Sequence, residues 1–129
     1  MTDDIYYVGF VTMKRWLENR NAGKSLAEYF KEHRYRRVGI YGAGDLGRLL
    51  LAELQNSDVE VVFFVDRNAE GLVNINSIPV ITLDAISNNK HIDALIVTTM
   101  DVFDQICAEL IGIAPEIAVI SIRDAVYEL

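Results

Sequence analysis

The stretch Val38-Gly39-Ile40-Tyr41-Gly42-Ala43-Gly44-Asp45-Leu46-Gly47 decides how this chain folds. A short β-branched run leads directly into three glycines spaced G-x-G-x-x-G, and Leu46, Leu49, Leu50 and Leu54 then recur at helical intervals. The pattern is a strand, a tight turn and a helix in immediate succession. Outward from it the alternation continues, with Asn56-Ser57-Asp58 closing the helix. Residues 59–65 are mostly apolar on both faces, as in an interior strand of a parallel sheet, and end at Asp66. After a polar connection over 67–77, Ile78-Pro79-Val80-Ile81 reads as an edge strand, where a missing N–H is tolerated. A brief helix over 83–87, a strand over 94–98, a helix over 101–111 carrying Val102, Ile106 and Leu110 on one face, and a last strand over 117–120 complete the series.

This rhythm predicts a three-layer α/β fold with a five-stranded parallel sheet. Right-handed crossovers give it the order 3-2-1-4-5. The first 36 residues differ in kind and are expected to form a helical hairpin ahead of the sheet domain at 37–129. Tyr6, Phe10, Met13 and Leu17 share one helical stripe with Trp16 beside it, Asn21-Ala22-Gly23 interrupts, and Ser25 with Glu28 makes a capping box before Leu26, Tyr29 and Phe30. So aromatic an appendage either packs across the outer helices of the sheet or makes a homo-oligomer through residues 5–35.

Composition fits this picture. The 129 residues are 51% apolar and 24% charged with 2 Pro, enough for one core without disulfides or a structural metal. Cys107 is the single cysteine, which excludes an internal disulfide or a cysteine-based zinc site. The longest apolar run, over 61–65, is far too short for a membrane span, and no basic, apolar leader opens the chain, so a cytoplasmic location is expected. The net charge of −7 divides unevenly: residues 1–37 carry +3 and the remainder −10. Nucleic acid is therefore not an expected partner, because backbone phosphates need clustered cations. The basic run at 33–37 reads as a solvated helix end that could also touch an acidic surface.

The glycine motif carries the chemistry. Gly42 suits the tight turn, Gly44 removes a side chain that would stand between backbone and phosphate, and Gly47 lets the helix approach the sheet. The first-turn amides, contributed around Asp45, Leu46, Gly47 and Arg48, then face an anion with help from the helix dipole. Asp45 is expected to point outward, while Arg48, a cation in a first turn, suits a nearby phosphate. Asp66, nineteen positions after Gly47, is placed to accept from a ribose hydroxyl, which favours NAD, although Arg67 keeps NADP open by offering a partner to a 2′-phosphate. The blander alternative for Asp66 is a solvated strand-end carboxylate. Thr98, Thr99 and Asp101 follow the fourth strand where ligands bind in such sheets, and also suit helix capping. His33, His91 and Cys107 have no partners at catalytic or metal-ligand spacing, and no Tyr is followed four positions later by Lys.

Taken together, Ile40-Tyr41-Gly42-Ala43-Gly44, Gly47-Arg48, Phe64-Val65-Asp66 and Ile78-Pro79-Val80-Ile81 resemble a known family. It is the small Rossmann-like, CoA-binding or nucleotide-sugar-associated domain of bacterial polysaccharide-synthesis enzymes, including nucleotide-sugar dehydratases and sugar acetyltransferases. The leading region, with Met13 to Leu17 and Lys24 to Ala27, is similar to short stand-alone proteins encoded with glycosyltransferases. The resemblance implies binding of NAD, a UDP-sugar or a similar nucleotide, with CoA as a further candidate, carried by Gly42, Gly44, Gly47 and Asp66. The sequence itself shows no catalytic domain after the motif. The expected role is an accessory or regulatory protein in polysaccharide or nucleotide-sugar metabolism, with a polysaccharide-synthesis enzyme as candidate partner. Two other readings stand beside it: an NAD(P)-dependent oxidoreductase, epimerase or dehydratase completed by oligomerisation or a partner chain, and a scaffold with no small ligand.

Overall fold

A computed structural model describes residues 2–88, 91–99 and 101–129, with side chains described from Ile5 onward. Two helices lead, α1 over Thr2–Asn21 and α2 over Leu26–Glu32, the latter capped by the Ser25 hydroxyl, which accepts from the Ala27 amide at 3.2 Å. The sheet follows: β1 (Arg37–Tyr41), α3 (Asp45–Leu54), β2 (Glu60–Val65), α4 (Ala69–Leu72), β3 (Asn74–Ile75) and β4 (Ile78–Ile81). A 3-10 turn over Leu83–Asn88 leads to β5 (Ala94–Val97), α5 (Phe103–Ile113), β6 (Ala118–Ser121) and α6 (Ile122–Glu128).

The strand order is β3-β4-β2-β1-β5-β6, so the sheet has six strands where five were expected. The five expected strands run parallel in the expected sequence, and the sixth is the two-residue β3, paired antiparallel to β4. This addition also corrects the placing of 78–81, which is covered rather than an edge. Pro79 is accommodated because β4 joins β2 only through Val80 and Ile81, so its missing N–H interrupts no parallel pairing. Two further elements escaped the sequence reading, α4 and α6, and the last strand and preceding helix each lie a residue or two further on than expected.

Alternation along the strands divides the core into two layers. Val38, Ile40, Phe64, Ala94 and Ile96 face α2, α3 and α6, while Tyr41, Phe63, Val65, Leu95 and Val97 face α5 and the 3-10 turn. Phe30, Phe63 and Phe64 are fully buried, and each such side chain contributes about 1.5–3 kcal/mol. Both sheet faces are covered, which explains why β5 is apolar throughout and β1 and β2 are apolar beyond their exposed first residues, Arg37 and Glu60.

The leading helices share the first of these layers through Trp16, Leu26, Tyr29 and Phe30. Their anchor is polar. The Glu53 carboxylate, with its side chain only 6% exposed, accepts from Trp16 Nε1 at 2.7 Å and from the Leu26 amide at 2.6 Å, with Arg20 Nε 3.6 Å away. One α3 side chain thus satisfies the indole of α1 and a first-turn amide of α2. About one turn further along α1, Asn19 Nδ2 donates to the Val126 carbonyl at 2.9 Å, fastening α1 to α6. Of the expected apolar stripe of α1, Met13 alone packs against the core. Tyr6, Phe10 and Leu17 are 79%, 64% and 62% exposed, and the buried side of the helix is instead Thr12, Trp16 and Asn19.

Candidate functional site

β1 stops at Tyr41 because Gly42 turns the chain with φ +101°, a conformation that side chains resist. Its amide still donates to the Val65 carbonyl at 2.8 Å, so the turn begins while held to β2. A Cβ on Gly42 would also lie 2.6 Å from Thr98 Oγ1. The next amide, of Ala43, donates to Asp66 Oδ2 at 2.9 Å, and Asp66 Oδ1 accepts from the Asn68 amide at 2.9 Å. Asp66 therefore braces both the glycine turn and its own loop, and each carboxylate oxygen retains a further acceptor site.

Gly44 is the N-cap of α3 and caps nothing, since it has no side chain to offer the first-turn amides. Its φ is −89°, which other residues adopt, and a Cβ there would meet nothing within 4 Å. Gly47 is the opposite case: a Cβ would fall onto the Gly42 carbonyl, so helix and turn approach as closely as the chain allows. Asp45 is exposed in the first turn, where the dipole favours a carboxylate, and Leu46 is half-buried against the core. Arg48 Nε donates to the Ala43 carbonyl at 3.1 Å, so this cation finds its partner in the turn itself.

These groups stand at the carboxyl ends of β1, β2 and β5, where the connections to the two halves of the sheet diverge. A cleft of about 330 Å³ opens there, lined by Tyr41, Gly42, Asp66, Arg67, Thr99, Asp101 and Val102. A second recess of about 290 Å³ adjoins it, sharing Tyr41, Asp66 and Arg67 and adding Thr82, Leu83 and Asp84. Asp66 and Arg67 thus stand between two hollows. The walls carry Asp66, Asp84 and Asp101 against the single cation Arg67.

Of the residues singled out after the fourth strand, Thr99 and Asp101 reach this cleft. Thr98 does not line it. Its side chain is buried, and its hydroxyl donates to the Tyr41 carbonyl at 2.7 Å, closing the end of β1. None of the three caps α5, whose N-cap is Val102 without a side-chain bond. Tyr41, Val102 and the loop residues Thr82 and Asp84 were not singled out by the sequence; their common signal is position just at or beyond the end of a parallel strand.

The perturbed groups lie elsewhere. Burial, with Asp104 nearby, pushes the Cys107 thiol up, and burial, with Glu128, Tyr35 and Asp124 around it, pushes Tyr29 up to about 12. Neither is among the residues lining the cleft. Among the described residues, no group of three or more His, Cys, Asp or Glu is placed to hold a metal ion, and no helix is long and apolar enough to cross a membrane.

The fold and site define a largely parallel α/β domain with a cleft at its topological switch point, lined by Gly42 but not by Gly44, Asp45, Leu46, Gly47 or Arg48. The family model described as C2185-like, N-terminal matches residues 34–120, and the chain belongs to that family. The matched region runs from just before β1 to the third residue of β6, with the glycine turn and both recesses, and leaves α1, α2 and α6 outside it. No curated protein matches the chain.

Proposed function

We propose that this chain is a nucleotide-binding module of the Rossmann type, taking NAD or a nucleotide-sugar. It would serve as an accessory or regulatory protein in polysaccharide or nucleotide-sugar metabolism. The observation that carries the reading is Gly44. The chain gains nothing internally from a missing side chain at a position with an ordinary φ and open space around it. A ligand that approaches the backbone closely does gain from it. Beside Gly44 the uncapped first turn of α3 offers amides and a positive dipole end to a diphosphate.

The walls refine the ligand. Three carboxylates face one guanidinium, a setting that suits the hydroxyls of a ribose or sugar and repels a second phosphate, so NAD or a UDP-sugar is favoured over NADP. Asp66, already accepting two amides, is held rigidly and keeps lone pairs for a ribose hydroxyl.

Thermal unfolding in saturating NAD, NADP, UDP-glucose and CoA tests this. A ligand at a hundred times its Kd stabilises by about 2.7 kcal/mol, a shift of several degrees for a domain of this size. Movement by NAD or UDP-glucose, with NADP weaker, supports the reading. An unchanged midpoint with all four removes it and favours the scaffold.

A further inference from the structure

The uncovered stripe of α1 has a spacing of its own. Tyr6, Phe10, Met13 and Leu17 are separated by four, three and four residues, a 3.5-residue repeat, which is the seam of a helix that pairs with another helix. In this chain Met13 packs partly against the core, and the other three seam residues are left uncovered. Tyr6, Phe10 and Leu17 are 79%, 64% and 62% exposed, Leu49 of α3 is 47% exposed, and an open groove of about 640 Å³ runs along Phe10, Met13, Trp16, Leu17, Leu49 and Ala52, with Lys14, Arg20 and Glu53 also lining it.

We infer that the occupant of this groove is α1 of a second copy, running antiparallel about a two-fold axis between positions 11 and 12. The seam is complementary to itself when read backwards. Antiparallel pairing brings Phe10 against Met13 of the second copy, and Tyr6 against Leu17. Aromatic meets aliphatic at both layers. A parallel pair would instead set each seam residue against its own copy and Arg20 against Arg20, and would align the two helix dipoles unfavourably.

The area agrees. Tyr6, Phe10, Leu17, Leu49 and the edge of Met13 present roughly 500 Å² of apolar surface, close to the apolar share of the ~800 Å² that each partner brings to a standard interface. An isologous contact of this kind closes on itself and goes no further than a dimer.

Sedimentation equilibrium and cross-linking of the full chain test the inference. The intact protein sediments with twice its 14.5 kDa mass, and Phe10→Glu or Leu17→Glu weakens self-association at least a hundredfold while the far-ultraviolet circular dichroism stays unchanged. In a Cys107→Ser background, mixed Tyr6→Cys and Leu17→Cys chains form an intermolecular disulfide, and Tyr6→Cys chains alone do not. A wild-type monomer at 100 µM would overturn the inference, as would a dimer insensitive to both charge insertions. Cross-linking of Tyr6→Cys chains to one another would overturn the antiparallel arrangement, and capture of the groove by a different protein alone would replace the second copy as occupant.

Discussion

The Asp66 carboxylate at the end of β2 accepts from the Ala43 amide at 2.9 Å, tying the second strand to the middle of the glycine turn. The same side chain accepts from the Asn68 amide, so it stiffens the mouth of the cleft before any ligand arrives. Asp66→Ala leaves both amides without that acceptor and is expected to cost about 1–3 kcal/mol of stability, read from urea unfolding. NAD affinity falls by a similar amount in calorimetry. A variant as stable as the parent would remove the brace, and unaltered affinity would remove Asp66 from the binding site.

Gly47 tests the turn from the opposite side. Since a Cβ there collides with the Gly42 carbonyl, Gly47→Ala forces α3 away from β1 and is expected to destabilise by about 3 kcal/mol or more, despite alanine's better helix propensity. Urea midpoints decide it; a variant equal to or more stable than the parent would contradict the packing.

Glu53 holds the leading helices. Glu53→Ala strands the Trp16 indole N–H and the Leu26 amide in a nearly buried place, an expected loss of about 2–4 kcal/mol. Trp16 is the only tryptophan, so its emission reports directly: it shifts to the red as α1 loosens. Emission and stability both unchanged would contradict the latch.

Tyr29 gives the chain an alkaline limit. Burial first, and then the nearby Glu128, favour the neutral phenol in the folded state and raise its pKa from the ordinary 10 to about 12. The unfolded chain therefore loses this proton first, so the contribution is complete below pH 10 and is lost as pH rises from 10 to 12. Urea midpoints of the parent should fall more steeply over that window than those of Tyr29→Phe. Parallel slopes would contradict it.

Much of the sheet was legible because glycine and β-branched runs carry local signals. Gly42 to Gly47 announced a turn between strand and helix, and the five parallel strands sit in the expected order. The short β3 was not legible, since two residues, Asn74 and Ile75, hold no alternation to read. α6 was: Ile122, Ala125 and Val126 stand at i, i+3 and i+4, the spacing of one helical face. The stripe of α1 misled for a physical reason. An apolar face is normally taken as the inward one, but here Trp16 and two polar residues, Thr12 and Asn19, are inside, while the seam of Tyr6, Phe10 and Leu17 is left out. At the cleft, Asp66 and Arg67 could be found from their place after β2, and Asp84 stands in the same relation to β4, three residues past its end.

The claim that Gly44 is vacant for a ligand is tested most directly by titrating NAD and UDP-glucose into the parent and into Gly44→Val by calorimetry. The variant should unfold within about 1 kcal/mol of the parent, since its side chain enters open space at an uncapped position. The account predicts that the parent binds at least one of the two and that Gly44→Val, though folded, loses that binding at least a hundredfold. Equal affinity in both proteins, or heat from neither, would contradict it.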